Sequence, residues 1–191
     1  MGCGMMEKVV FLDRDGVINV DSPDYIKTWS EFQFISGSLE ALTLLNEFGF
    51  TVFIITNQSA VNRGMIPEAV LHEMHDNMRR AVENQGGYIA DIFYCPHRPD
   101  EGCGCRKPKP GLIEQAQQRH RLDLSTAWMV GDSAKDIMCA RNAGCGHAIL
   151  VRTGNGRSSE RLLCEQQTPA DRVVENLREA VDFIVNQTSL K

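Results

Sequence analysis

Two aspartates one residue apart, Asp13 and Asp15, close the apolar run Val9-Val10-Phe11-Leu12, and Gly16 follows at once. Holding two carboxylates so close is unfavourable unless a cation or a substrate proton uses them. Three later segments bring matching groups: Thr56-Asn57 after a second apolar run, Arg106-Lys107 ahead of Pro110-Gly111, and Asp132 with Asp136. A nucleophilic carboxylate, a hydroxyl–amide pair, a lysine and further carboxylates suit phosphoryl transfer, where positioning and charge stabilisation do most of the catalysis. Singly, each has a plainer role: Thr56-Asn57 as a helix cap, Lys107 as a solvated charge, Asp136 as the partner of a helix N-terminus. A second constellation is Cys95, His97, Cys103 and Cys105, three thiols and an imidazole within eleven residues. That donor set suits tetrahedral structural zinc, although the C-x-H and C-x-C spacings are tighter than the usual C-x₂-C; a redox-active or idle cysteine cluster is the alternative.

Elements that deliver these groups alternate along the chain. The first apolar run reads as a buried parallel strand whose end faces the crevice where ligands of open α/β sheets bind. A turn-rich stretch from Asn19 to Glu31 follows, and Ser36-Gly37-Ser38 is placed to cap a helix stopped at Gly49. Strands are predicted over Phe50–Ile55, Ile89–Tyr94, Thr126–Val130 and His147–Val151. Helices are predicted over Pro67–Asn84, from Pro110-Gly111 onward, and over Ala134–Asn142. A polar connection and a closing amphipathic helix near Val173–Val185 complete the chain. The β-α-β-α order predicts an α/β fold with a central parallel sheet and helices on both faces. One domain over residues 1–191 is expected, with no internal repeat or linker.

The chain has 191 residues, 42% of them hydrophobic, and a net charge of -5, ordinary for one globular domain. The acidity offers no basic surface for nucleic acid, and no apolar stretch approaches the ~18 residues of a membrane span. Met1 to Met6 lack the n- and h-regions of a signal peptide, so a disordered lead-in and a cytoplasmic, monomeric protein are expected. Without export, Cys3, Cys139, Cys145 and Cys164 are expected as small buried or incidental side chains, not a disulfide framework. His72 and His75, three apart on a predicted helix, lack acidic partners nearby and suit packing rather than metal.

The order D-x-D-G, T-N, K-P, G-D-x-x-x-D resembles the haloacid dehalogenase (HAD) superfamily of phosphatases. Within it, FLDRDGVIN, ITNQSAVNRG, YCPHRP, CGCRKPKPG and MVGDSAKDI are similar to the D-glycero-D-manno-heptose 1,7-bisphosphate phosphatase family, itself related to histidinol-phosphate phosphatases. These segments extend across nearly all of residues 8 to 155. The resemblance implies a Rossmann-like HAD fold with a zinc-binding loop over residues 95–105. It implies that Asp13 attacks phosphorus to form an aspartyl-phosphate, while Asp15 first protonates the leaving alkoxide and then acts as base on water. Asp13, Asp132 and the backbone carbonyl of Asp15 would hold Mg²⁺. Thr56 and the Asn57 amide would bond phosphoryl oxygens and Lys107 neutralise them, with Asp136 orienting Lys107 or a metal-bound water.

Cys95, His97, Cys103 and Cys105 would hold structural Zn²⁺, leaving no open position for substrate. The forty or so residues between the first two motifs leave no room for a large cap domain. Selection of substrate would then fall to loops, with contacts from Asp21, Ser22, Pro23, Asp24, Asn57, Gln58, Ser59, Arg106 and Lys107. Ala60 stands where the family often has glycine, and Ser133 where close relatives often have lysine or arginine. The activity implied is Mg²⁺-dependent removal of the 7-phosphate of the heptose bisphosphate, leaving heptose 1-phosphate for ADP- or GDP-heptose and surface glycans such as lipopolysaccharide. Histidinol phosphate is the alternative substrate, and a non-catalytic, zinc-stabilised binding module the alternative class. Intact Asp13, Asp15, Lys107 and Asp132 argue against the module.

Overall fold

Six parallel strands lie in the order β3-β2-β1-β4-β5-β6 in the computed structural model, which describes residues 8–189. They are β1 (Lys8–Leu12), β2 (Phe50–Asn57), β3 (Asp91–Cys95), β4 (Trp128–Gly131), β5 (His147–Val151) and β6 (Arg172–Val174). The helices are α1 (Ser38–Glu47), α2 (Glu68–Asn84), α3 (Gly111–His120), α4 (Ala134–Ala143), α5 (Gly156–Glu165) and α6 (Leu177–Ser189). The expected disordered lead-in and Cys3 lie outside the described residues.

Both faces of the sheet are covered, which is why the strands read as unbroken apolar runs. Val10, Leu12, Val52, Ile54 and Val130 pack with Leu42 and Leu45 of α1, Met74 and Met78 of α2, and Val181 and Ile184 of α6. The alternate residues, Val9, Phe11, Phe53, Ile55 and Met129, pack on the other side with Leu112 and Ile113 of α3 and Ile137 of α4. Cys139 and Cys145 are buried in that second layer, whereas Cys164 is exposed.

Two expectations need correction. The polar connection after β5 contains α5 and the short edge strand β6, and the closing helix starts at Leu177 instead of near Val173. The first turn of α1 is not capped by a serine: Gly37 occupies the cap position with φ 82°, and no side chain bonds the helix end. Between β1 and β2 the chain forms only loops, one turn of 3₁₀-helix at Trp29–Glu31 and α1, so nothing resembling a cap domain is inserted there. Among the described residues, no helix is long and apolar enough to cross a membrane.

Candidate active site

The strand order reverses direction between β1 and β4, and the crevice beyond the carboxyl ends of those strands is where such sheets bind ligands. Asp13 leaves the end of β1, its backbone N–H donating to Val130 O of β4 at 3.0 Å. Asp132 leaves the end of β4, and an oxygen of each of Asp13, Asp132 and Asp136 falls within 4.8 Å of the others. Glycine permits the crowding. Gly16 has φ 80°, and a Cβ there would overlap the Asp132 carboxylate; one at Gly131 would overlap that of Asp136. Asp13 and Asp132 line a cavity of about 500 Å³, a size suited to a small ligand.

Lys107 is buried beneath this cluster. Its Nζ donates to Ile55 O at 2.8 Å and pairs with Asp13 Oδ1 at 2.9 Å and Asp136 Oδ1 at 2.6 Å. Burial opposes the ammonium, but Asp13 and Asp136 outweigh it and hold the pKa above the ordinary lysine range. Asn57, at the end of β2, fixes the lysine's backbone: its Oδ1 accepts from Lys107 N at 3.1 Å and its Nδ2 donates to Lys107 O at 3.3 Å. Asp136 does two jobs, since its Oδ2 also accepts from Ser133 N at 2.9 Å and Ser133 Oγ at 2.7 Å, closing the N-terminus of α4.

Burial pushes Asp13 well above the usual carboxylate range, and repulsion from Asp136 and Asp132 adds to it against the pull of Lys107. Burial and Asp136 likewise push Asp132 up to about 7. Three buried acids and one lysine leave negative charge uncompensated. Asp13 Oδ2 and Asp132 Oδ1 have no protein partner among the described residues, because the bonds of these two carboxylates fall on Asp13 Oδ1 and Asp132 Oδ2. Two free, mutually repelling carboxylate oxygens fit a hard divalent cation.

Asp15 points away from that cluster. Its carboxylate accepts from Arg14 at 2.9 Å, Asn19 Nδ2 at 2.8 Å and Gln58 Nε2 at 2.7 Å. Burial alone would raise its pKa; Arg14, with Asn19 and Gln58, reverses the effect and lowers it. Behind Arg14, His75 of α2 lies 3.3 Å from the guanidinium, which can only donate, so the imidazole Nε2 is the acceptor. Burial, followed by Arg14, drops the His75 pKa to about 3. The unfolded chain takes up this proton near pH 6.5 and the folded chain does not, so the contribution to stability is full above 6.5 and is lost on acidification. A loss of about 2–3 kcal/mol between pH 7 and pH 4.5 is expected from this group. His75→Leu should flatten that part of the pH dependence in urea unfolding at the two pH values.

Of the residues expected to contact substrate, Asp21, Ser22, Pro23, Asn57, Gln58, Arg106 and Lys107 line the cavity. Two expected contacts do not. Asp24 faces an adjoining hollow, its N–H donating to Ser22 Oγ at 3.2 Å in the turn, and Ser59 is buried behind the wall. Gln58 reaches the cavity with its amide already committed to Asp15, Thr56 and Arg14. Ala60 sits in a small apolar cluster with Ile66 and Leu71, away from the cavity wall. Sequence reasoning missed Arg14, Asn19 and Asn155. The last donates to Asp132 Oδ2 from its backbone at 2.8 Å and to Asp21 Oδ2 from its side chain at 3.1 Å. Its signal was the Thr153-Gly154-Asn155-Gly156 turn, which precedes a helix.

The sulfurs of Cys95, Cys103 and Cys105 lie 3.2–3.6 Å apart, with His97 Nδ1 3.5 Å from Cys95 and 3.3 Å from Cys105. These separations approach the roughly 3.8 Å edge of a tetrahedron with ~2.3 Å metal–sulfur bonds. Burial and the Cys105 thiol push Cys95 up to about 12, and a bound cation would offset that by favouring the thiolate. The four residues can hold a metal ion at the end of β3, two positions before Lys107.

The doubly wound sheet, with a carboxylate, a buried lysine and hydroxyl and amide donors at one edge, defines a phosphoric monoester hydrolase of the HAD type. A family model described as HAD-hydrolase-like matches residues 104–180. A D-glycero-β-D-manno-heptose-1,7-bisphosphate 7-phosphatase of Pseudomonas aeruginosa is 49% identical over 152 residues, 80% of this chain and 85% of its own. The namesake of Bordetella bronchiseptica is 45% identical over 152 residues, 80% and 84% of the two chains. A crystal structure of D,D-heptose 1,7-bisphosphate phosphatase from B. bronchiseptica, complexed with magnesium and phosphate, superposes with a TM-score of 0.88 at 41% identity, covering 94% of this chain and 99% of that one. The chain belongs to the D-glycero-β-D-manno-heptose 1,7-bisphosphate 7-phosphatase family.

Proposed function

We propose that this protein hydrolyses the C7 phosphate of D-glycero-β-D-manno-heptose 1,7-bisphosphate, giving heptose 1-phosphate and inorganic phosphate. The observation that carries the reading is the convergence of Asp13, Asp132, Thr56 and Lys107 on one cavity that Asp21, Ser22 and Arg106 also wall. Asp13 is the nucleophile, and the lysine at 2.9 Å favours its carboxylate form and neutralises charge as the phosphoryl group arrives. Thr56 Oγ1 accepts from Gln58 Nε2 at 2.9 Å, which leaves its own O–H to donate to a phosphoryl oxygen. The Asn57 amide supplies a second donor. Asp15 gives a proton to the leaving alkoxide and takes one from the hydrolytic water. Mg²⁺, held by Asp13, Asp132 and the backbone carbonyl of Asp15, screens the repulsion between carboxylate and phosphate. Cys95, His97, Cys103 and Cys105 would hold a structural zinc.

Residues 1–191 act as one cytoplasmic, monomeric domain in the supply of ADP- or GDP-activated heptose for lipopolysaccharide and related surface glycans. Preference for the β anomer follows the names of the relatives. Measuring kcat/KM for the α and β heptose bisphosphates and for histidinol phosphate tests the assignment. The β anomer is expected to be preferred at least about tenfold, a discrimination worth ~1.4 kcal/mol. A preference for histidinol phosphate would overturn it.

A further inference from the structure

Arg14 is a cation only 1% exposed, and the mechanism above gives it no task. Its Nε and Nη2 donate to Asp15 Oδ1 at 3.2 and 2.9 Å, and Nη2 also to Asp15 Oδ2 at 2.9 Å. Asn19 Nδ2 donates to Oδ1 and Gln58 Nε2 to Oδ2, so both oxygens of Asp15 face donors alone. Nothing in this arrangement accepts a proton from Asp15. It is built for a carboxylate. The guanidinium is in turn anchored away from the cavity, at 3.3 Å from His75 Nε2 and 3.7 Å from Met74 Sδ of α2, with its carbon 5.8 Å above the Phe32 ring. Burying so many donors on one side chain is costly unless each finds a partner, and here the partners fix the guanidinium in one orientation.

We propose that Arg14 is a positioning residue for the second half of the reaction, holding the Asp15 carboxylate to receive the proton of the water that attacks the aspartyl-phosphate. This rests on the mechanism proposed above. In that step the water oxygen bonds to phosphorus and the bond from phosphorus to the Asp13 oxygen breaks. The water proton passes to Asp15, inorganic phosphate departs, and Asp13 is restored as a carboxylate. Among the reacting groups the guanidinium bonds the Asp15 carboxylate. It acts through Asp15, and α2 acts through Arg14.

Stopped-flow hydrolysis of p-nitrophenyl phosphate with Mg²⁺ isolates that step, because its leaving group needs little help from an acid. Arg14→Met is expected to show a burst approaching one p-nitrophenol per site, then a steady state at least about tenfold below wild type. Since only breakdown of the intermediate is slowed, kcat and KM should fall together and kcat/KM stay within about threefold of wild type. A kcat/KM that falls as far as kcat with no burst would overturn the proposal, as would an unchanged kcat. Should Arg14→Met not fold, His75→Leu removes the acceptor behind the guanidinium. It should give the same split at about threefold in kcat, with recovery in His75→Gln, and uniform loss in both counts against it. Wild-type protein inactive on any phosphate ester, or Asp13→Asn as active as wild type, defeats the underlying mechanism and this inference with it. An active wild type whose Arg14 and His75 variants lack the split defeats the inference alone.

Discussion

Asp13→Asn is expected to abolish turnover, with kcat/KM falling at least about 10⁴-fold while the fold persists. The amide cannot attack phosphorus, yet it keeps nearly the shape of the acid and an oxygen to accept from Arg14 N, which Asp13 Oδ1 accepts at 2.7 Å. Stability is expected to change little, for two effects oppose each other. The substitution gives up the ion pair with Lys107, but it also removes a charge that Asp132 and Asp136 repel, and Lys107 keeps Asp136 at 2.6 Å. Steady-state assay of the heptose bisphosphate, beside a circular-dichroism melt, checks both halves. Activity within tenfold of wild type would remove Asp13 from the role of nucleophile.

With the proposed zinc in the Cys95-His97-Cys103-Cys105 cluster, its removal is expected to produce the largest loss of stability, lowering Tm by about 10 °C, as loss of some 3–5 kcal/mol does in a protein of this size. From Pro96 to Arg106 no residue of the loop is fully buried, and only Cys103 and Cys105 pack against the core, so apolar packing holds it weakly. An ion on the thiols and imidazole would pin it beyond the hydrogen bonds of Arg106 to His97 O and Lys109 to Cys103 O, and Cys105 is two residues from Lys107. Metal analysis should find about one zinc per chain, and Cys105→Ser should reproduce both the lower Tm and a reduced kcat/KM. Protein without zinc that melts and turns over as before would show the cluster to be idle.

What was legible in the sequence followed from how locally each element is encoded. The strands buried on both faces appear as apolar runs, and Asp13, Asp132 and Thr56-Asn57 take their positions directly from strand ends. The sequence gives α5 a weaker signal, since only Gly156, Ser159 and Leu163 of its ten residues are buried and no side chain caps it. Three-residue β6 is shorter than any periodicity can register. Arg14 was overlooked for another reason: its meaning depends on His75 and Met74, about sixty positions away, and nothing in its immediate neighbours announces them. Gln58 reads as a substrate contact on a loop, and only the tertiary fold shows its amide committed to Asp15, Thr56 and Arg14.

Strand order has a consequence for how such a protein can change. The carboxylates, Thr56 and Asn57 hang from β1, β2 and β4, three neighbours in the middle of the sheet, whereas the cysteine loop leaves from β3 at its edge and ends on Lys107. Central strands are locked by partners on both sides and tolerate little revision. An edge loop pinned by its own ion can be lengthened, shortened or exchanged with only its two attachment points to respect. The molecule thus separates a fixed set of carboxylates from a replaceable mouthpiece, and exchanging the loop between Cys95 and Arg106 while keeping Lys107 in place is the natural route to a new substrate.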